Sequence, residues 1–171
     1  MYMKQTIYAS HPHPALVQLH NNACFWIGHM HADPNDHLGG QTFECPADGE
    51  LDNIQVYSAA VGRPGKVILT LHAFDKETKN WGPVLSSSEL DVDRKNNEKW
   101  ICFQLPAVVL HKNNNYGFQL KSTDALMAIG EAAWPNKSPF AYGEEWTGSS
   151  IDRLGHYFRY FSLAFKVELR A

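Results

Sequence analysis

His29 and His31, two residues apart, have spacing that can do chemistry. Side chains alternate along a β-strand, so both imidazoles would share one face, and neutral imidazoles ligate Zn, Cu or Fe. Asp33, Asp36 and His37 follow directly. The loop Asp33-Pro34-Asn35-Asp36 adds the oxygens that Ca²⁺ gathers in sets of about six to eight. These residues give a candidate metal set of His29, His31, Asp33 and Asp36. The competing reading is that the imidazoles hydrogen-bond locally and that Asp and Asn serve the turn. The spacing is not that of an EF-hand, and the cofactor expectation is none, with Zn or Ca²⁺ at this cluster as the alternative.

A second chemistry is the stacking of a sugar ring on a flat aromatic face, with planar polar groups beside it. Trp81, Trp134, Tyr142 and Trp146 fall in or near expected loops, where side chains more often serve binding. Glu144 neighbours the last two. On the strands, Gln55, Tyr57, His72, Gln119 and Arg159 alternate with apolar residues and would line a groove. These ten residues form the candidate ligand site. The competing reading is that the tryptophans cap the core and the polar residues are solvated.

Catalytic patterns are weaker. Glu144 and Glu145 are adjacent, so on a strand they point to opposite faces and cannot flank one glycosidic bond. The serines at 86–88 and 149–150 lack a Gly-x-Ser-x-Gly context. Cys24, Cys45 and Cys102 form no Cys-x-x-Cys and cannot all pair, so they read as small buried hydrophobes. The expectation is that the chain is not an enzyme.

These groups must be held by a core, and 171 residues with 44% hydrophobic content are enough for one. Aromatics reach 12%. The net charge of −3 gives no basic footprint for nucleic acid or an anionic membrane. No apolar run reaches the ~18 residues of a membrane span. The start MYMKQTIYAS has no signal-peptide core, so the expected location is the cytoplasm unless a signal has been removed.

The elements read as strands. Residues 1–24, with Pro12 and Pro14, are expected to be an irregular arm, with one helical turn over 15–20. Residues 40–75 read as strand, turn, strand, turn, strand: an antiparallel meander at the centre of the fold. Ile54, Val56 and Ser58 alternate with Gln55 and Tyr57, and Val67, Leu69 and Leu71 alternate with Ile68, Thr70 and His72. Phe161, Leu163, Phe165, Val167 and Leu169 share a face that only a strand can gather, and this closing segment is expected to pair with the meander. About nine short strands with Gly and Pro turns predict a single all-β domain, an antiparallel β-sandwich of the jelly-roll type.

The order of segments supports this. A Gly-Gln-Thr-Phe strand at 40–43 precedes Gly-Glu-Leu-Asp-Asn-Ile at 49–54, then KVILTLHAFD, a Trp-Gly loop and Trp100-x-x-Phe103. Asn115-Tyr116-Gly117-Phe118 and Ala128-Ile129-Gly130-Glu131 follow. This resembles bacterial jelly-roll domains related to carbohydrate-binding modules, which are similar to galactose-binding-like sandwiches. The resemblance spans about residues 40–169 and implies a fold; no functional residue carries over. The leading expectation is a non-catalytic module binding carbohydrate or another small ligand. The alternative is a structural or protein-interaction sandwich. A third reading is a cupin-like metal enzyme: cupins also use a His-x-His pair, but the rest of their motif is missing.

Overall fold

The computed structural model describes residues 12–170, and His11 lies outside them. They form β1 (Pro12–Gln18), β2 (Ala23–His29), β3 (Asp36–Glu44), β4 (Gly49–Arg63), β5 (Gly65–Asp75), β6 (Asn80–Val92) and β7 (Lys99–Gln104). The chain continues through β8 (Val109–Leu110), β9 (Asn115–Lys121), β10 (Leu126–Ala133), β11 (Glu145–Ser149), β12 (His156–Phe158), β13 (Phe161–Leu163) and β14 (Phe165–Arg170). The one helical piece among them is a 3-10 turn, Arg94–Asn96, capped by Asp93. The fold class is therefore all-β, with fourteen strands among the described residues where about nine were expected. No helix among the described residues is long and apolar enough to cross a membrane.

Every pairing is antiparallel, and the main hydrogen-bonded path runs β1-β14-β4-β10-β2-β3-β9-β5-β6. The segments expected at 40–75 are strands, but they are not a meander. β3, β4 and β5 do not pair with one another: β4 pairs with β14, β10, β7 and β8, whereas β5 pairs with β6 and β9. The expected pairing of this region with the closing segment is present in the β4–β14 ladder, where Ile54 faces Val167.

Alternation fills the core. In β5, Val67, Leu69 and Leu71 are buried, and in β14 Phe165, Val167 and Leu169 are buried between half-exposed Lys166 and Glu168. The Phe165 ring lies 6.2 Å from Phe43 of β3, 5.7 Å from Phe118 of β9 and 5.2 Å from Phe140. The β14–β4 part of the path thus packs against the β3–β9 part through aromatic rings, at separations where tilted pairs are favourable.

Three expectations change here. Residues 12–18 are strand β1, so the arm and the helical turn give way to a ladder with β14. Proline lacks a ladder donor, but β1 ends the path, and an edge strand tolerates the loss. Trp81-Gly82-Pro83, expected as a loop, belongs to β6, which ends the path on the other side. Of the cysteines, Cys45 alone is buried; Cys102 is half-buried and Cys24 exposed.

Gly28 near the end of β2 has φ +103°, and a Cβ there would stand 1.9 Å from the Ala125 carbonyl oxygen. Only glycine takes that backbone without strain. Gly28→Ala is expected to cost about 2 kcal/mol, read by denaturant unfolding. An unchanged midpoint would show that this kink is relaxed at no cost.

Candidate functional site

The kink at Gly28 decides the fate of the histidines. His29 is the last residue of β2, and the alternation that would bring His31 onto its face stops there. His29 Nδ1 lies 2.8 Å from Asp36 Oδ1, and His37 Nε2 lies 2.7 Å from Asp33 Oδ2. Asp33 also accepts from the Asn35 amide; this bond and His37 hold its carboxyl below the usual range. His31 is exposed. Among the described residues, no three His, Cys, Asp or Glu side chains converge to hold a metal. Of the candidate set, His29 and Asp36 form one pair, Asp33 pairs with His37 and His31 stands apart.

The three candidate tryptophans differ in burial. Trp146 is 1% exposed, and its indole N–H donates to the Leu154 carbonyl at 3.0 Å. Trp81 is half-buried, 5.3 Å from Trp146, 5.2 Å from Phe74 and 5.5 Å from His72. It lies over Gly117, where a Cβ would meet its ring at 2.5 Å, so the missing side chain makes room for the indole. Its N–H donates to the Tyr157 hydroxyl at 2.9 Å. These rings are spent on one another and offer no open stacking platform. Trp134 is half-buried, with Lys137 4.6 Å above its ring and His20 5.9 Å away.

The strand residues divide between two places. Gln55 and Tyr57 sit on β4, which pairs with neither β5 nor β9. Gln55 donates to Glu168 at 2.6 Å, and Tyr57 packs 5.6 Å from Trp100, which Lys166 covers. His72 is buried beside Trp81. Its Nδ1 lies 2.9 Å from the Gly82 carbonyl, so Nδ1 donates and Nε2 accepts from the Thr70 hydroxyl at 2.8 Å. Burial pushes its pKa down, which keeps the imidazole neutral. Gln119 is half-buried on β9, opposite Gly40 and Thr70.

Tyr142, Glu144 and Arg159 do come together. They line a cleft of about 220 Å³ with Phe74, Lys76, Lys79, Asn115 and Tyr157. Tyr142 is 61% exposed. The Glu144 amide donates to Thr42 Oγ1 at 2.9 Å, which ties this stretch to β3. Lys79 bonds Glu144 at 3.3 Å and lies 4.7 Å above the Tyr157 ring. The Tyr157 hydroxyl accepts from Trp81 and donates to the Lys79 carbonyl, and burial raises its pKa. Sequence reasoning missed Phe74, Lys76, Lys79, Asn115 and Tyr157, which come from three distant segments and carry no shared motif.

It also missed a buried pair. Glu145, the first residue of β11, is buried and pairs opposite Gln41, while Glu144, just before the strand, lines the cleft. Among the described residues the group beside the Glu145 oxygens is the Glu131 carboxyl, so Glu145 has no donor when both are ionised and a hydrogen bond only when a proton is kept between them. Burial first, then the neighbouring Glu131 carboxyl, push its pKa up to about 10. Nearby, Gln41 Oε1 accepts from the Leu163 amide at 2.9 Å and from Ser162 Oγ at 3.4 Å.

No known family model matches this chain, and no curated protein matches it at a level that shows relatedness. The likeness to carbohydrate-binding modules thus rests on the all-β antiparallel architecture alone.

Proposed function

We propose that the chain is a non-catalytic β-sandwich of the jelly-roll type that presents a protein-interaction surface at the tip of the β11–β12 hairpin. The observation that carries this is the exposure of Ile151 at 79% and Leu154 at 84% on a loop held in one shape. The Ser149 and Asp152 backbones exchange hydrogen bonds at 3.0 and 3.2 Å, and Asp152 Oδ1 accepts from the Gly155 amide at 3.0 Å. The Ser150 amide donates to the Asp36 carbonyl, and Leu154 offers its carbonyl to Trp146. Exposed aliphatic side chains on an ordered loop, with Phe158 also exposed nearby, support recognition, because pre-ordering lowers the entropic cost of binding. The net charge of −3 favours a protein partner over nucleic acid.

A photo-crosslinking residue at Arg153 is expected to give a discrete protein adduct in the native cell. Ile151→Ser/Leu154→Ser should abolish it while leaving the melting temperature unchanged. The absence of any adduct, or one that survives the double substitution, would sink the reading. A second reading, a small carbohydrate ligand, is favoured by the meeting of Tyr142, Glu144 and Arg159 in one cleft.

A further inference from the structure

We propose that the cleft beside Tyr142 takes an acidic sugar unit, with a carboxylate held by Lys76 and Arg159 and the ring laid against Tyr142. This deepens the carbohydrate reading of the cleft and is independent of the hairpin tip. Three cations, Lys76, Lys79 and Arg159, line the cleft, against the single carboxylate of Glu144. That is a local excess of positive charge in a chain whose net charge is −3. The carboxylate is also already matched: Glu144 bonds Lys79 at 3.3 Å. Two cations remain for a ligand. Lys76 makes no hydrogen bond among the described residues, and Arg159 uses one nitrogen, donating to the Tyr160 hydroxyl at 2.8 Å. A guanidinium has further donors for a carboxylate.

The excess belongs to the cleft lining itself, and two carboxylates stand just outside it. Asp75 and Glu77 line the adjoining shallow groove, which shares Phe74, Lys76 and Asn115 with the cleft. Asp75 accepts from the Glu77 and Thr78 amides of its own turn at 3.0 and 3.2 Å, which orients its carboxylate within that turn, and both carboxylates line the groove and not the cleft. The neutral groups suit a sugar. Tyr142 presents an exposed ring steadied by Phe140 at 5.9 Å, and Asn115 adds a side-chain carboxamide to the lining. At about 220 Å³ the cleft is below the ~300–1,000 Å³ of pockets for drug-sized ligands, which fits one ring and its carboxylate.

The test is titration with glucuronate, glucose and acetate at pH 7 and low salt, followed by amide chemical shifts. Glucuronate is expected to shift the amides around Tyr142, Glu144 and Arg159. Lys76→Met/Arg159→Met should weaken it at least tenfold with an unchanged melting temperature, and Tyr142→Ala should weaken it too. Glucose and acetate should bind at least tenfold more weakly than glucuronate. Equal binding of glucose would overturn the acid preference and leave the carbohydrate reading standing. Acetate binding as well as glucuronate would overturn the role of the ring. No shift with either sugar would overturn both readings of the cleft.

Discussion

Glu145→Gln is expected to stabilise the protein at neutral and alkaline pH. The native pKa of Glu145 stands near 10, against an ordinary 4.5. A carboxyl whose pKa is raised by folding contributes stability that is fully present below about pH 4.5. That stability is lost as pH rises, because the unfolded chain releases the proton and the folded chain keeps it until about pH 10. At pH 7 the cost is on the order of 3 kcal/mol, and it grows as pH rises further towards 10. The cause is geometric: both oxygens are buried, and the group beside them is the Glu131 carboxyl, which can share a hydrogen bond only if a proton is kept. A glutamine amide has nearly the same shape, carries no charge to desolvate and can donate to Glu131. Thermal melts of the two proteins should coincide near pH 4 and separate as pH rises, with the variant melting about 5–10 °C higher at pH 7. Parallel curves across pH 4–9 would show that Glu145 is solvated in solution.

The strands were legible in the sequence because burial on one face writes a period of two. Val67, Leu69 and Leu71, and Phe165, Val167 and Leu169, are buried as that pattern requires. Pairing was not legible. The pattern fixes which side of a strand is apolar but not which strand lies beside it, and so β3, β4 and β5 looked like a meander although none of them pairs with another. The same limit applies to the site. Alternation placed Glu144 and Glu145 on opposite faces, but could not show that Glu145 would meet Glu131 from β10. Proline at 12 and 14 reads as a breaker in isolation; only the topology shows that these positions lie on an edge, where the missing donors cost little. Tyr142, Glu144 and Arg159 were singled out by residue type, and all three line the cleft. Lys76, Lys79 and Tyr157 were not, since a lysine in a polar turn looks the same whether or not a cleft lies next to it.

Trp146→Ala is expected to cost about 4 kcal/mol, the range for removing a buried aromatic side chain. Aromatic residues around 142–146 suggest a sugar platform, and the two residues at its ends meet opposite fates. Trp146 lies in β11 between Gly40 of β3 and Tyr157 of β12, so its indole stands where the two ladders meet. Gly148 and Gly155 lie against its ring: a Cβ on either would come within 2.6 Å of an indole atom. Its removal would leave a cavity bordered by Gly148 and Gly155, which have no side chains to fill it. It would also strip the Leu154 carbonyl of its donor and Trp81 of a ring 5.3 Å away. Loosening the 149–155 loop would follow, so the Arg153 crosslink should weaken along with the denaturation midpoint. Trp146→Phe should recover about half of the lost stability by refilling most of the space without the N–H donor. Tyr142→Ala, on an exposed ring, should change stability by less than about 0.5 kcal/mol while reducing ligand binding in the cleft. A stable Trp146→Ala protein with lost sugar binding would reverse the assignment of the two residues. Loss of stability at 146 and loss of binding at 142 would fix the division between the ring that holds the sheet together and the ring that meets a ligand.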